Sequence, residues 1–268
     1  MKKRILIFLI LLATIGVSCD RYKKILKGTD KELKYETAVK LYKQQNYSSA
    51  LQFFEELITL FRGTDKAEMV FYYYAYSYYG TGDNMMASFH FKNFSKLFPG
   101  SKYSEECAFM AAYCKYNDAP GYSLDQGATI EAINELQLFA NLYPKSEKMQ
   151  RCNELIDELR NRLAKKYFDL ATLYYRISSY NAAIISFNNL LKEYPETTYR
   201  EESMLFLLKS NFYYAQNSID EKKLERFNTT IDAYNTFTAT FPVTKFKKEA
   251  ESVYNNSIKE INKLKKSN

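Results

Sequence analysis

Few side chains in this sequence could carry out catalysis. His90 is the single histidine, so every site that needs two imidazoles is excluded. It lies in a predicted helix between Phe89 and Phe91 without a fixed acidic or cysteine partner, and we expect a partly exposed helix residue. The chain contains no glycine-rich phosphate loop and no dinucleotide-binding fingerprint.

Adjacent carboxylates are the other candidates for chemistry, and they occur at Glu55-Glu56, Glu105-Glu106 and Glu201-Glu202. Neighbouring residues on a helix point about 100° apart and therefore do not share a site. The scarcity of candidates leads us to expect no enzyme activity, no cofactor and no metal site.

Three cysteines follow Cys19 in the sequence. Cys107 and Cys114 lie seven residues apart on one predicted helix, which separates their Cα atoms by about 10 Å, too far for a disulfide. Cys152 falls on the next long helix, and its pairing with either remains open. We expect all three to be small core residues.

A repeat organises the chain into regular elements. Five times a small residue is followed four positions later by tyrosine, at Ala38/Tyr42, Ala75/Tyr79, Ala112/Tyr116, Ala171/Tyr175 and Ser210/Tyr214. A second small residue follows in each unit, at Ala50, Ala87, Ala132, Ala183 and Thr230. Apolar residues recur at spacings of three and four, which predicts two amphipathic helices per unit. The small residues allow the two helices to approach closely where they cross.

The junctions between units share a second pattern. Four of the five units close on an aromatic residue and proline, as at Phe98-Pro99, and a hydroxyl residue follows two positions later. Proline ends the second helix, and we expect the hydroxyl to cap the first helix of the next unit. Units three and five are predicted to carry longer loops, around residues 118–121 and 217–220.

The twelve-residue step from Ala38 to Ala50, repeated from Ala75 to Ala87, resembles the tetratricopeptide repeat. The predicted fold is therefore all-α, an α-solenoid of five tetratricopeptide-like helix pairs with a C-terminal capping helix over residues 245–265. The tryptophan typical of that family is missing.

The resemblance implies a groove lined by the first helices of the repeats. Its walls would carry Tyr35, Val39, Tyr42, Tyr72, Tyr76, Tyr79, Phe109, Tyr113 and Tyr116, continued by Phe168, Thr172, Tyr175, Leu207, Asn211 and Tyr214. Tyrosine offers a large apolar ring and a hydroxyl that reaches peptide backbone, which suits extended or short helical polypeptides with aromatic side chains. The alternative is that these rings only pack one repeat on the next.

The N-terminus resembles a bacterial lipoprotein signal. Lys2, Lys3 and Arg4 precede an apolar run over residues 5–15, and small residues precede Cys19. We expect a signal peptide over residues 1–18, acylation of Cys19 and a lipidated tether over residues 19–34; an ordinary secretory peptide is the alternative. Without the three basic signal residues, 35 Lys and Arg face 31 Asp and Glu, and so small a surplus does not indicate nucleic-acid binding.

A long helix is predicted in the middle of the chain. Residues 147–177 contain no Gly or Pro and carry Leu155, Ile156, Leu159 and Leu163 at helical spacing. We expect repeats one to three over residues 35–145, and the long linking helix, repeats four and five and the capping helix over residues 146–268.

The combination of lipoprotein signal, five repeats and overlong helix resembles the BamD-type family of outer-membrane lipoproteins. That resemblance implies a lipid-anchored scaffold of the β-barrel assembly machinery that faces the periplasm. Its partners would be unfolded outer-membrane proteins in the groove and the periplasmic domains of the barrel-forming subunit. The alternative is another periplasmic repeat lipoprotein, which scaffolds a pilus, secretin or cell-wall synthesis complex. A glycan-binding lipoprotein is disfavoured, because the chain has no tryptophan.

Overall fold

The computed structural model describes residues 22–267, so the expected signal peptide and Cys19 lie outside the described residues. The described range forms a short helical segment at 22–26 and eleven longer helices, and no strand occurs in it. The all-α array of helix pairs expected from the sequence is confirmed. Between residues 22 and 267 no helix combines the length and the apolar character that a membrane span requires.

Two compact units make up the molecule. Unit 1 contains the chain up to Ala119 and Gly127–Leu155, and unit 2 contains Pro120–Gln126 and the chain from Ile156 onward. The helices of unit 1 are α1 (Lys31–Lys43), α2 (Tyr47–Leu60), α3 (Ala67–Thr81), α4 (Asn84–Leu97), α5 (Ser104–Asp118) and α6 (Gly127–Leu142).

The remaining helices are α7 (Met149–Arg176), α8 (Tyr180–Glu193), α9 (Arg200–Gln216), α10 (Asp220–Thr240) and α11 (Lys247–Ser267). The long helix expected over residues 147–177 is α7, which has 28 residues and a length of about 42 Å. Its first turns belong to unit 1 and the rest to unit 2.

The small residues of the repeat occupy the helix crossings, as expected. The first set (Ala38, Ala75, Ala112, Ala171, Ser210) and the second set (Ala50, Ala87, Ala132, Ala183, Thr230) are all at most 1 % exposed. Large apolar side chains complete the core around them, among them Phe54, Phe91 and Phe187, each with no exposed surface. A larger side chain at any crossing would force the helix axes apart.

The junction hydroxyls act one turn earlier than the sequence suggested. Ser101 Oγ accepts the N–H of Tyr103 at 3.0 Å, and helix α5 begins only at Ser104. The prediction that this residue caps the helix directly was wrong, because a tight turn intervenes: the Ser104 N–H donates to the Ser101 carbonyl at 3.0 Å. Thr244 accepts the Phe246 N–H in the same way, also at 3.0 Å.

The two long repeats use their extra residues differently. Repeat three has the expected loop, between Asp118 and Gly127. Repeat five does not, because α9 ends at Gln216 and α10 already begins at Asp220. The segment that starts at Asp220 favours helix: Asp220 and Glu221 lie in the first turn, where acidic residues stabilise the helix dipole. The insertion therefore lengthens α10.

Both ends of the repeat array are covered. Tyr22, Ile25 and Leu26 of the segment 22–26 pack against the core of the first repeat, within the range expected to form a tether. At the other end, Ala250 and Ile261 of α11 are buried against α9 and α10. Helix α11 is the capping helix that the sequence predicts.

Candidate functional site

The tyrosine row of unit 1 is neither sealed in the core nor fully exposed. Of eight predicted groove residues in unit 1, seven are half-buried, namely Tyr35, Tyr42, Tyr72, Tyr76, Tyr79, Tyr113 and Tyr116, whereas Phe109 is 8 % exposed. They come from α1, α3 and α5, the first helices of the three repeats. The rings therefore support the repeats with one face and leave surface for a ligand.

Glu106 on α5 lies at the centre of this row. The hydroxyls of Tyr72 and Tyr76 both donate to its Oε1, the first at 3.3 Å. The ring centre of Tyr72 lies 4.7 Å from that of Tyr76 and also 4.7 Å from that of Tyr103. The site thus combines aromatic surface with a carboxylate, an arrangement that can hold a cation or a polar backbone group.

The sequence did not indicate Glu106 as the partner of the tyrosine row. It predicts only that Glu105 and Glu106 form no catalytic pair, because helix neighbours point apart. The side chains do diverge: Glu105 accepts the hydroxyl of Ser146 at 2.5 Å, while Glu106 accepts the two tyrosines. Tyr72 and Glu106 are 34 residues apart, whereas the repeat steps by 37 residues from Ala38 to Ala75, so the repeat period gives no signal for this contact.

Tyr73 also belongs to this surface and was missed. Its ring centre lies 4.8 Å from that of Tyr42 and 6.0 Å from the buried Phe54. It therefore connects the tyrosine of repeat one to the row of repeat two. The ring centre of Tyr35, which precedes Tyr42 by two turns of α1, lies 5.8 Å from that of Phe61 and 5.1 Å from Lys66 Nζ.

Repeat three contributes a ladder of rings on α5. Phe109 and Tyr113 stack at 6.0 Å, and Tyr113 and Tyr116 at 5.9 Å. Phe109 also packs 5.3 Å from Phe139, which explains why it is nearly buried. Of the predicted groove residues on this helix, the two tyrosines offer the accessible surface.

Burial keeps the hydroxyls of this wall protonated. It raises the pKa of Tyr42 to about 12, with smaller contributions from Tyr47, Tyr73 and the charge of Glu106. The pKa of Tyr76 is raised further, by burial first and then by its hydrogen bond to Glu106. Burial also raises the pKa of Tyr72, and the Glu106 charge adds to the effect. At neutral pH all three side chains are hydrogen-bond donors.

In unit 2 the corresponding positions are more enclosed. Phe168, Thr172 and Asn211 are 7 to 9 % exposed, whereas Tyr175, Leu207 and Tyr214 are half-buried. Lys209 Nζ lies 5.5 Å from the ring centre of Tyr175 and forms an ion pair with Glu249 of α11 at 2.6 Å. The guanidinium carbon of Arg226 lies 4.0 Å from the ring centre of Tyr214. Two rings of this wall thus already contact cations of the chain itself.

The remaining candidates for chemistry are structural. His90 stacks on Tyr78 at 5.0 Å and contacts Tyr74 edge-on at 4.5 Å, and burial lowers its pKa. Cys107, Cys114 and Cys152 are free and buried, as expected for core residues. Burial raises the pKa of Cys114 to about 12, so its thiol stays protonated at neutral pH.

Comparison with known proteins gives a family match across most of the chain. The sequence model of the YfiO family, described as outer membrane lipoprotein, matches residues 27–224. The chain is 22 % identical over 179 residues to the outer membrane protein assembly factor BamD of Caulobacter vibrioides, covering 67 % of this chain and 59 % of that protein. It is 27 % identical over 198 residues to the putative outer membrane protein assembly factor BamD of Aquifex aeolicus, covering 72 % of this chain and 64 % of that protein.

The chain thus spans about three fifths of the length of the curated relatives it matches. Among solved structures, it is similar to the TPR2AB domain of yeast Sti1 in its complex with pHSP90. The TM-score is 0.40 at 14 % sequence identity, and the match covers 85 % of this chain and 98 % of that one.

Proposed function

Because the chain belongs to the YfiO family of outer membrane lipoproteins, we propose that it is a scaffold for outer-membrane protein assembly. In this proposal Cys19 carries the lipid that anchors the protein to the outer membrane, with the repeats facing the periplasm. Unit 1 binds unfolded barrel precursors through its tyrosine row, and unit 2 docks the barrel-forming subunit. The two relatives named as BamD, an outer membrane protein assembly factor, support this direction.

The observation that carries the proposal is the half-buried tyrosine row of unit 1. Tyr72, Tyr76 and Tyr79 present rings whose other faces are fixed by the repeats, so little side-chain entropy is lost on binding. A precursor segment with alternating aromatic residues can place its rings against this row while its backbone N–H groups donate to the hydroxyl oxygens of Tyr72 and Tyr76, whose own protons go to Glu106.

An apolar stripe on α7 supports the docking surface of unit 2. Tyr167, Leu170 and Leu173 of α7, and Ile177 directly after its end, are 42 to 61 % exposed although they recur at helical spacing. Exposed apolar side chains grouped on one helix are typical of protein contacts. We assign this stripe to the periplasmic domains of the barrel-forming subunit.

Peptide binding tests the groove. Fluorescence anisotropy with peptides from the aromatic C-terminal ends of outer-membrane barrels should show at least tenfold weaker binding for the triple variant Tyr72→Ala, Tyr76→Ala, Tyr79→Ala. The matched control replaces Tyr122, Tyr180 and Tyr254 of unit 2 by alanine and should bind as the parent does. Unchanged affinity of the first variant, with helicity retained, would remove the groove assignment.

Crosslinking and purification test the partner and the anchor. The lipidated protein should recover an outer-membrane barrel subunit, and recovery of only inner-membrane secretion or wall-synthesis proteins would refute the proposal. Leu170→Asp with Leu173→Asp should reduce recovery, whereas Ile219→Asp with Val243→Asp, at exposed positions elsewhere, should not. Palmitate labelling should be lost in Cys19→Ser.

A further inference from the structure

Glu106 has no cationic partner within the described part of the chain. Its Oε1 accepts the hydroxyls of Tyr72 and Tyr76, and no lysine or arginine between residues 22 and 266 forms an ion pair with it. The carboxylate is half-buried and flanked by rings. Two hydroxyl donors orient this charge but do not neutralise it, and its second oxygen remains available as an acceptor.

Elsewhere the protein completes the same arrangement with its own lysines. Lys66 forms an ion pair with Glu32 while its Nζ lies 5.1 Å from the ring centre of Tyr35. Lys209 pairs with Glu249 at 2.6 Å and lies 5.5 Å from Tyr175. In each case a carboxylate and a tyrosine hold one ammonium group between them.

A third example lies on α7. Lys165 pairs with Asp169, and its Nζ is 4.8 Å from the ring centre of Tyr122. Cations within about 6 Å of an aromatic face are attracted by the ring, and a nearby carboxylate adds a charge-assisted hydrogen bond. The cluster of Glu106, Tyr72 and Tyr76 has the carboxylate and the rings but lacks the ammonium.

We propose that Glu106, Tyr72 and Tyr76 form a subsite for a lysine or arginine side chain of the polypeptide bound in the groove. This inference rests on the proposed function, since it specifies the chemistry of the ligand at the same surface. The cation lies against the rings and donates to the free oxygen of Glu106. In a ligand with a basic residue next to an aromatic one, the basic side chain contacts Glu106 and the aromatic side chain packs on the tyrosine rings.

The same charge excludes one orientation of the ligand. A free C-terminal carboxylate beside Glu106 would place two like charges in a partly desolvated site, which is unfavourable. The C-terminus of a bound precursor therefore lies away from this subsite, and an internal basic residue occupies it.

Two peptides that differ only in charge test the subsite. Both carry the same aromatic sequence, one with lysine and the other with glutamine at a single internal position, and binding to the full-length acylated protein in detergent is measured by anisotropy. The parent should bind the lysine peptide about tenfold more tightly, and added salt should reduce this preference. Glu106→Gln should lose the preference and bind the lysine and glutamine peptides equally well.

Two further variants separate recognition from structure. Glu105→Gln alters the neighbouring carboxylate, which faces Ser146, and should keep the preference. Glu106→Lys should reverse it, favouring a third peptide with glutamate at the variable position. Equal loss of affinity for all peptides in Glu106→Gln would indicate a structural role and overturn the subsite.

The outcomes also separate this inference from the proposed function. If the parent binds the lysine and glutamine peptides equally well, the subsite is wrong and the groove stands. If it binds neither, the groove assignment fails and the subsite fails with it.

Discussion

Tyr79 in unit 1 and Tyr175 in unit 2 hold the same place in their repeats, four residues after the small residue, yet the two walls differ in charge. The wall of unit 1 gathers around the carboxylate of Glu106, whereas Tyr175 faces the ammonium of Lys209, itself paired with Glu249. The repeat pattern fixes where the rings lie, and residues on the first helix of the next repeat, two helices farther along, decide which charge faces the rings. The same repeat motif therefore gives unit 1 a row of tyrosines beside a carboxylate that has no ion pair in the described chain. In unit 2 it gives tyrosines that contact a lysine and an arginine of the chain itself.

The largest effects should come from the core residues that support each wall. Phe91 and Phe187 occupy equivalent positions and have no exposed surface, so replacing either by alanine should lower the free energy of unfolding by about 3 to 5 kcal/mol. Hydrogen exchange should show Phe91→Ala accelerating exchange in α3 to α5 and Phe187→Ala in α8 and α9. Equal acceleration in both units by either variant would show that they are not separately stabilised.

The contrast in charge predicts opposite effects on tyrosine titration. The hydrogen bond to Glu106 and its charge contribute to the raised pKa of Tyr76, so Glu106→Gln should lower that pKa. Burial raises the pKa of Tyr175, but the charge of Lys209 opposes this, so Lys209→Gln should raise it further. The pKa of one tyrosine is measured from phenolate absorbance as the difference between spectra with that tyrosine and with phenylalanine in its place. If both pKa values shift in the same direction, the contrast in charge between the two walls is wrong.

Stability at alkaline pH follows from the same groups. The folded pKa of Tyr42 is about 12, above the unfolded value of about 10, so its contribution to stability is complete below pH 10 and is lost as the pH rises toward 12. The Glu106 charge contributes to this raised pKa, so Glu106→Gln should lose slightly less stability than the parent over this range. Denaturant unfolding at pH 8 and pH 11 measures the difference, and Glu105→Gln serves as the control.

A smaller effect should appear when the internal cation is removed from unit 2. Lys209→Ala leaves Tyr175 and Glu249 without their ammonium and should produce a second subsite, increasing the affinity of unit 2 for a short lysine peptide about fivefold. Isothermal titration with Glu106→Gln in the background isolates this site. Lys222→Ala, whose lysine pairs with Glu225 on the surface of α10, should leave the affinity unchanged.

The smallest effect is expected at the junction turns. Ser101 Oγ accepts the Tyr103 N–H and also donates to Glu68 Oε1 at 2.8 Å, so Ser101→Ala should cost about 1 kcal/mol. Thr197 Oγ1 accepts only a longer bond from the Tyr199 N–H, at 3.3 Å, and Thr197→Val should cost about half as much. Thermal unfolding measures the loss of stability in each variant. A larger loss for Thr197→Val than for Ser101→Ala would contradict the hydrogen-bond distances at the two junctions.

The sequence predicted the helix pairs because small residues at the crossings leave a periodic signal, from Ala38 to Thr230. It failed at residues 217–220, where an insertion can lengthen either a loop or a helix and only the helix-forming residues after Asp220 decide between them. It also missed Glu106 as the hydrogen-bond partner of Tyr72 and Tyr76. Spacing along one helix predicts which rings share a face, but the partner of those rings lies on another helix, where only the packed structure brings it into hydrogen-bonding distance.

The packed segment 22–26 determines how many residues can separate the proposed lipid anchor from the first repeat. Tyr22 already packs on the first repeat, and it follows Cys19 by three residues, which extend to about 10 Å at most. With acyl chains on Cys19, the first repeat would be held close to the lipid surface, with little freedom to move away from it. The exposed Lys23, Lys24 and Lys27 would then be carried within reach of the headgroups.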